Sequence, residues 1–579
     1  MNRNTESHFS NTPTVDIPRS KMDRSFTHKT TFNAGELIPF YCDCTIMPGD
    51  TVKMNTASVV RMMTPITPVM DNANMDTYFY FVPFRLIWEH FKQFMGENET
   101  APWKQTTEYQ IPQIVAPANG WLKGSLADYL GYPTKVGSYK ASALPFRAYA
   151  LIWNEWFRDQ NLKNPCYISM GDGDINGVDK TTAGANYDYV TDTEKGAAPC
   201  KVAKYHDYFT SCLPEPQKGP SVTVPIGTWA PVYARQNKDL DPSTLGLTES
   251  PASLHWKTIS GSSYITPNNG NVAIQQNTQA GIGSSIVTNQ TSGTINGYIT
   301  PVNLYTDLQA ATGATINQLR QAFAIQRFYE KQALYGTRYI EMIKGHFHVT
   351  NPDFRMQRPE YLGGMQVPIN MNQIIQSEAT RQSSYYDTNE NAWITPDTTP
   401  QGNAAAFSLT SGREKDLFTH SFTEHGILMG LCCVRTVHTY QQGLNAQYSK
   451  KKFTDFYFPE FANLGNTAVY NKEIYLQNTS ADDEVFGYQE AWATERYFPD
   501  IVTGEMRSNY DQSLDVWHWA DYYNAKPTLG SDWIDETKDN IQRTIAVQNH
   551  DQFFGDFFFQ AIYTRPMPMY SVPGLIDHH

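Results

Sequence analysis

Nowhere in the 579 residues does an apolar run approach the ~20 residues that cross a bilayer; the longest, Gly426 to Val434, falls well short, so no membrane anchor is expected. The polar opening Met1, Asn2, Arg3, Asn4 lacks the apolar core of ~7 to 15 residues found in a secretory signal, so export by that route is not expected either. Cysteine is scarce. Seven residues (Cys42, Cys44, Cys166, Cys200, Cys212, Cys432, Cys433) are odd in number and carry no disulfide framework, which points to reduced thiols in a cytoplasmic setting. Charge is thin at 18%, against the ~25% usual in soluble domains. Cations are the scarcer sign: 45 Lys and Arg face 58 Asp and Glu, a net charge of −13. A surface that binds polyanions everywhere is thereby excluded, and nucleic-acid contact has to be regional.

Catalytic signatures are missing as well. There is no Gly-x-x-x-x-Gly-Lys-Ser/Thr phosphate loop, no Gly-x-Ser-x-Gly elbow and no His-Glu-x-x-His pair. Cys42 and Cys44 share a strand face without a second pair at zinc spacing, Cys432 and Cys433 point to opposite faces, and His346 and His348 have no carboxylate cluster nearby. Packing explains each of these better than catalysis, and no enzyme activity is expected.

What the chain has in excess is aromatic surface. Tyr (35), Phe (30) and Trp (12) make up 13% of the residues, and each can bury ~150 to 250 Å². Single cores stop growing near ~250 to 300 residues, so one core with large elaborations is expected, with aromatics left over for contacts between chains.

Residues 1 to 30 are polar, with Arg19, Lys21, Arg24 and Lys29 among Ser and Thr and with Pro13 and Pro18 opposing helix; they read as an extended arm. Strands are expected at Ala57–Met63, at Asp76–Val82, at Ile427–Tyr440, and at Phe553–Thr564, where apolar side chains alternate with others. A helix is expected from Pro83 to Gly96. Another follows Pro145 with one apolar stripe (Phe146, Tyr149, Ile152, Trp153, Trp156, Phe157) opposite Arg147, Asn154 and Arg158. A third runs from a Thr315/Gln318 capping box to Gly336. Residues 166 to 306 differ in kind. They are rich in Gly, Asn, Thr, Ser and Asp, and Thr258 to Thr306 contains no Asp, Glu, Lys or Arg at all, although Tyr264, Tyr298 and several Ile and Val recur around an Asn268-Asn269-Gly270 turn. This suits an exposed β protrusion. Few strands separated by helices and long loops predict a mainly β chain, with an eight-stranded antiparallel jelly roll (a β-barrel or sandwich) as the natural architecture. The expected organisation is an arm (1–30), a first part of the jelly roll with loop helices (31–165), the insertion (166–306), and a second part with loop helices and a C-terminal tail (307–579).

Tyr78 to Trp88 (Tyr-Phe-Tyr-Phe-Val-Pro-Phe-Arg-Leu-Ile-Trp) resembles the major capsid proteins of the microviruses, particularly the gokushovirus branch. Leu144 to Asn161, Thr315 to Gln321, Gln357 to Gly364 and the tail Arg565 to His578 are similar to the same family. The resemblance implies a capsid protein of a bacteriophage that self-assembles, as sixty copies in pentameric units, into a T=1 icosahedral shell around circular single-stranded DNA. It implies assembly in the host bacterial cytoplasm and residence in the virion. Minor pilot or spike, internal scaffolding and small DNA-packaging proteins are implied as partners, as is a bacterial surface receptor met by the insertion. Tyr264, Asn268, Asn269 and Tyr298 are the candidates there.

For DNA, the candidates are Arg19, Lys21, Arg24 and Lys29 of the arm and the run Lys450, Lys451, Lys452 followed by Phe453, since cations neutralise phosphates and aromatic faces stack on unpaired bases. A short charge run is more often a solvated loop. Asp172, Asp174 and Asn176, followed by Gly177, repeat the first half of a calcium loop, but Ala183 stands where such a loop needs a bidentate Glu. Ca²⁺ is the one cofactor the sequence raises. A β-sandwich that binds or hydrolyses carbohydrate is the alternative function, because Trp, Tyr, Asn and Asp also line sugar sites.

Overall fold

The computed structural model describes residues 18–98, 107–179, 187–222, 232–234, 256–258, 264–265, 273–276, 284–287, 299–301, 304–306, 316–375, 385–389, 391–394 and 404–570. Chain contacts divide it into two compact units, Met1–Lys218 with Glu330–His579, and Gly219–Tyr329.

The larger unit is built on nine strands: β1 (Ser20–Asp23), β2 (Phe26–Phe32), β3 (Ile38–Ile46), β4 (Thr51–Met62), β5 (Ala73–Pro83), β6 (Glu360–Pro368), β7 (Thr410–Ser421), β8 (Gly426–Thr436) and β9 (Phe553–Arg565). They form two antiparallel sheets. In one, β1 and β2 both pair with β9, which pairs with β4, which pairs with β7; the other runs β6-β5-β8-β3. The strands expected at 76–82 and 553–564 are present inside longer ones, the one expected at 57–63 forms the end of a strand that starts at Thr51 and stops at Met62, and the strand expected at 427–440 ends at Thr436.

Period-two alternation explains the join between the sheets. On β9, Phe553, Phe557, Phe559, Ala561 and Tyr563 point inward while Phe554, Asp556 and Phe558 face out. Phe40 of the opposite sheet meets Phe557 edge-on, ring centres 5.0 Å apart, and Phe559 at 5.1 Å. Burial of each such ring is worth roughly 1.5–3 kcal/mol. Strands β5 and β8 are apolar on both faces for a different reason, because their sheet is covered on its far side. Phe79, Phe81 and Cys432 enter the inter-sheet core, whereas Tyr80, Val82 and Cys433 enter a second core under α1 (Leu144–Ile152).

Helix α1 starts at Leu144, with Pro145 in its first turn as expected, and continues into a wider π turn, Trp153–Phe157. Its polar side is not a solvent face: Arg147 is fully buried and donates to the carbonyls of Ile87 (3.2 Å) and Gly171 (3.0 Å). A loop folded over the helix made that side interior, which periodicity cannot foresee. The helix expected over 83–96 is broken into a 3-10 turn, Phe84–Leu86, and one α turn, Phe91–Phe94, because the chain leaves helical geometry at Ile87 to bury Ile87 and Trp88 together. Helix α2 (Ile316–Tyr335) stops before Gly336, whose φ of +92° is left-handed; Thr315 lies outside the described residues. Helix α3 (Tyr339–Phe347) follows.

Two stretches differ from the expected organisation. Ser20–Asp23 and Phe26–Phe32, which fall mostly in the expected arm, are sheet strands, held because β9 offers both a ladder edge and apolar partners. Residues 166 to 218 belong to the larger unit, with Cys166, Cys200 and Val202 buried beneath α1. The smaller unit contains the short antiparallel pairs Val232–Ala234 with Leu304–Thr306, Trp256–Thr258 with Tyr264–Ile265 and Ile299–Pro301, and Ala273–Gln276 with Ser284–Val287.

Candidate assembly and nucleic-acid surfaces

The sequence-picked cations reach different fates. Arg24 donates to Asp43 Oδ2 (2.6 Å) and Thr45 Oγ1 (2.9 Å) and lies 4.8 Å above the Tyr563 ring, so it ties the two sheets at their edge. Lys29 pairs with Asp556 at 3.6 Å; Arg19 and Lys21 are exposed. Lys450 pairs with Glu495 and sits 5.1 Å over the Phe456 ring. Lys451 and Lys452 keep exposed side chains and give their backbone N–H groups to Asp455 at 2.8 Å each.

That lysine run opens a patch the sequence only hinted at. From Asn445 to Phe461 the chain makes 3-10 turns at Ala446–Tyr448, Phe453–Asp455 and Pro459–Phe461, fixed by Asn445 accepting from the Gln447 N–H (3.1 Å), by Asp455 and by the preset φ of Pro459. None of the turns buries a residue. Tyr448 and Phe453 are 72% and 75% exposed, with Phe456, Tyr457 and Phe458 also open. Local polar caps thus hold a cluster of aromatics out into solvent. A second exposed set, Tyr339, Phe347 and Phe354, lies on and after α3, which is anchored from the other side by Arg338 donating to the Asn154 carbonyl at 2.6 Å. Contiguous exposed apolar surface of this kind marks protein contact sites.

The calcium candidates are already engaged. Asp172 accepts from Trp88 Nε1 at 2.6 Å and lies 2.9 Å from His90 Nδ1, Asp174 takes Lys140 at 2.7 Å, and Asn176 is exposed. Among the described residues no group of three or more His, Cys, Asp or Glu is arranged to hold a metal. Tyr264 falls in a short strand; Asn268, Asn269 and Tyr298 lie outside the described residues.

One titratable cluster went unread in the sequence because its members are scattered. His438 Nδ1 is 2.9 Å from Asp521 and its Nε2 2.8 Å from Glu536, while Lys204, Tyr523 and Asn540 also bond Asp521. Burial opposes the imidazolium, but Asp521 and Glu536 outweigh it and push the His438 pKa up to about 10. The three side chains are 2%, 6% and 0% exposed. The cluster ties the end of β8 and the segment after it to the loops that carry Asp521 and Glu536, with Thr436 also donating to Glu536 at 2.9 Å.

The family described as Capsid protein (F protein) matches residues 10–575. The chain belongs to that capsid family. It is 40% identical over 575 residues to capsid protein VP1 of Bdellovibrio phage phiMH2K, covering 99% of this chain and 98% of the relative. It is 40% identical over 570 residues to capsid protein VP1 of Spiroplasma virus 4, covering 96% of each. Capsid protein VP1 of Chlamydia phage 1 is 38% identical over 607 residues, covering 98% and 97%. The resemblance seen at Tyr78–Trp88 is thus a full-length relationship to phage capsid proteins, and the family's role is structural. Self-association in a virion accounts for exposed aromatics that a solitary chain would have no use for. The carbohydrate-binding alternative is set aside by the same matches. Among the described residues no helix is long and apolar enough to cross a membrane.

Proposed function

We propose that this capsid-family chain is a jelly-roll subunit that closes into a T=1 icosahedral shell around circular single-stranded DNA. The observation that carries the reading is the strand order. Numbering the eight long strands β2 to β9, they divide as β2-β9-β4-β7 in one sheet and β3-β8-β5-β6 in the other, an order that matches the double Greek-key pattern of a jelly roll. The exposed sets around Phe453 and Phe347 supply distinct patches, as heterologous contacts that close by symmetry require.

Assembly in the bacterial cytoplasm, pentameric intermediates, and help from scaffolding, pilot and DNA-packaging proteins belong to the same proposal, as does a part for residues 166 to 306 in meeting a bacterial receptor. Image reconstruction of particles purified from infected or expressing cells tests it. Closed particles of sixty subunits containing deoxyribonuclease-protected DNA support the reading. Solitary chains under conditions where the related phages form virions overturn it.

A further inference from the structure

The outward face of the β2-β9-β4-β7 sheet is basic in a chain whose net charge is −13. Residues opposite one another in an antiparallel pair share a face, so the register places the side chains in rows. Phe554 lies opposite Arg61. Phe558 lies opposite Ala57, which lies opposite Arg413 on β7. Lys29, opposite Asp556, extends the face onto β2. A trough of about 510 Å³ opens here between Lys29, Val59, Arg61 and Phe554. Lys29 is shared with Asp556, yet neither Arg61 nor Arg413 has an ion-pair partner among the described residues, and both are exposed.

Two features make this more than a solvated sheet. Phe554 and Phe558 are 40% and 44% exposed at positions where the period-two pattern asks for polar side chains. Four residues at ~3.4 Å each set them roughly 14 Å apart along β9, with Arg61 and Arg413 on the β4–β7 side of the rings and Lys29 on the β2 side. Flat aromatic faces among unpaired guanidinium groups match an unpaired, negatively charged polynucleotide, because every base has a π-face and every nucleotide a phosphate. A second copy of this chain, acidic overall, is the competing occupant; rings spaced along one strand beside guanidinium groups without ion-pair partners among the described residues favour the polynucleotide.

We propose that this sheet face binds single-stranded DNA without sequence preference, Phe554 and Phe558 stacking on bases while Arg61 and Arg413 take phosphates, and so forms the genome-facing wall of the shell. The inference rests on the proposed enclosure of single-stranded DNA. Binding of the full-length chain to labelled oligodeoxythymidine across a salt series reads it directly. The Arg61→Gln/Arg413→Gln variant is expected to bind about tenfold more weakly and to lower the salt-dependence slope by about 1.4, or ~0.7 for each single-strand phosphate contact removed. Phe554→Ser/Phe558→Ser is expected to weaken binding by a similar factor with the slope unchanged. Unaltered affinity in the arginine variant, whose side chains are exposed and outside the core, overturns the proposal. Ultraviolet cross-linking of genome-containing particles separates the two readings. Nucleotide adducts on Phe553–Arg565 support the platform; adducts confined to Lys451–Phe458, or cross-links from this face to a neighbouring subunit, sink the platform alone, while particles without DNA sink the enclosure on which it rests.

Discussion

Tyr563 donates its hydroxyl proton to Asp43 Oδ2 at 2.6 Å, joining the last strand of one sheet to a strand of the other across 520 positions of sequence. With that proton committed, Tyr563 accepts from Tyr41, whose oxygen is 2.7 Å away. Burial alone would raise the Asp43 pKa, but the Tyr563, Thr45 and Arg24 contacts hold it below the ordinary value. Tyr563→Phe keeps the ring packing and strands the Tyr41 hydroxyl, which costs about 1–3 kcal/mol. Urea unfolding of the full-length chain should show that loss, and an unmoved midpoint would count against the relay.

His438 makes stability depend on alkaline pH. Its folded pKa of about 10 lies above the 6.5 of an unconstrained imidazole, so the stabilisation is fully present below 6.5 and drains away as pH climbs through about 10. Unfolding midpoints between those two values should fall more steeply for the native chain than for His438→Gln. Parallel curves would show that the charge on His438 does not brace the fold.

The exposed aromatic turns separate assembly from folding. Tyr448→Ser with Phe453→Ser is expected to shift the stability of the isolated chain by less than about 0.5 kcal/mol, since both rings face solvent. The yield of closed particles should fall at least tenfold by about the same reasoning that makes aromatic anchors dominate interfaces. Normal particle yield in density gradients would move the contact elsewhere.

Lysine replacement tests the neighbouring charge run. Lys450 is taken by Glu495, so Lys450→Gln should change little, whereas Lys451→Gln with Lys452→Gln removes two exposed cations. Fewer genome-filled particles with empty shells spared is the expected outcome, measured as the ratio of the two bands on a gradient. An unchanged ratio would leave these residues as a solvated loop.

Calcium has to displace existing partners to use the loop at Asp172. With Asp174 held by Lys140 at 2.7 Å and Asp172 by Trp88, chelator is expected to leave the melting temperature unchanged. A fall in melting temperature on chelation, restored by Ca²⁺, would show a site the apo geometry conceals.

Much of the local structure was legible. The alternation at Phe553–Thr564, the doubly apolar run at Asp76–Val82, Pro145 at a helix start and the positive-φ stop at Gly336 are consequences of neighbouring residues, and each stands where the sequence placed it. Family membership was legible for the same reason, since motifs such as Tyr78–Trp88 are contiguous.

Partners distant along the chain were not. Periodicity says that a residue faces a core without saying which core, so Cys432 and Cys433 could be put on opposite faces but not into their two separate clusters. Arg24 and Lys29 looked alike as cations of an arm until pairing with β9 sent one across the sheet edge to Asp43 and the other onto the outer face beside Asp556. Arg61 and Arg413, 352 positions apart by their numbering, share a face with the exposed rings only because β4 lies between β9 and β7. The sequence by itself determined the strongly patterned strands and helices and the family they serve; strand neighbours, the strands at Ser20–Asp23 and Phe26–Phe32, and therefore the His438 cluster and the basic face, were decided by the tertiary structure, because ladder pairing and charge burial act through space between groups that have no local bond to each other.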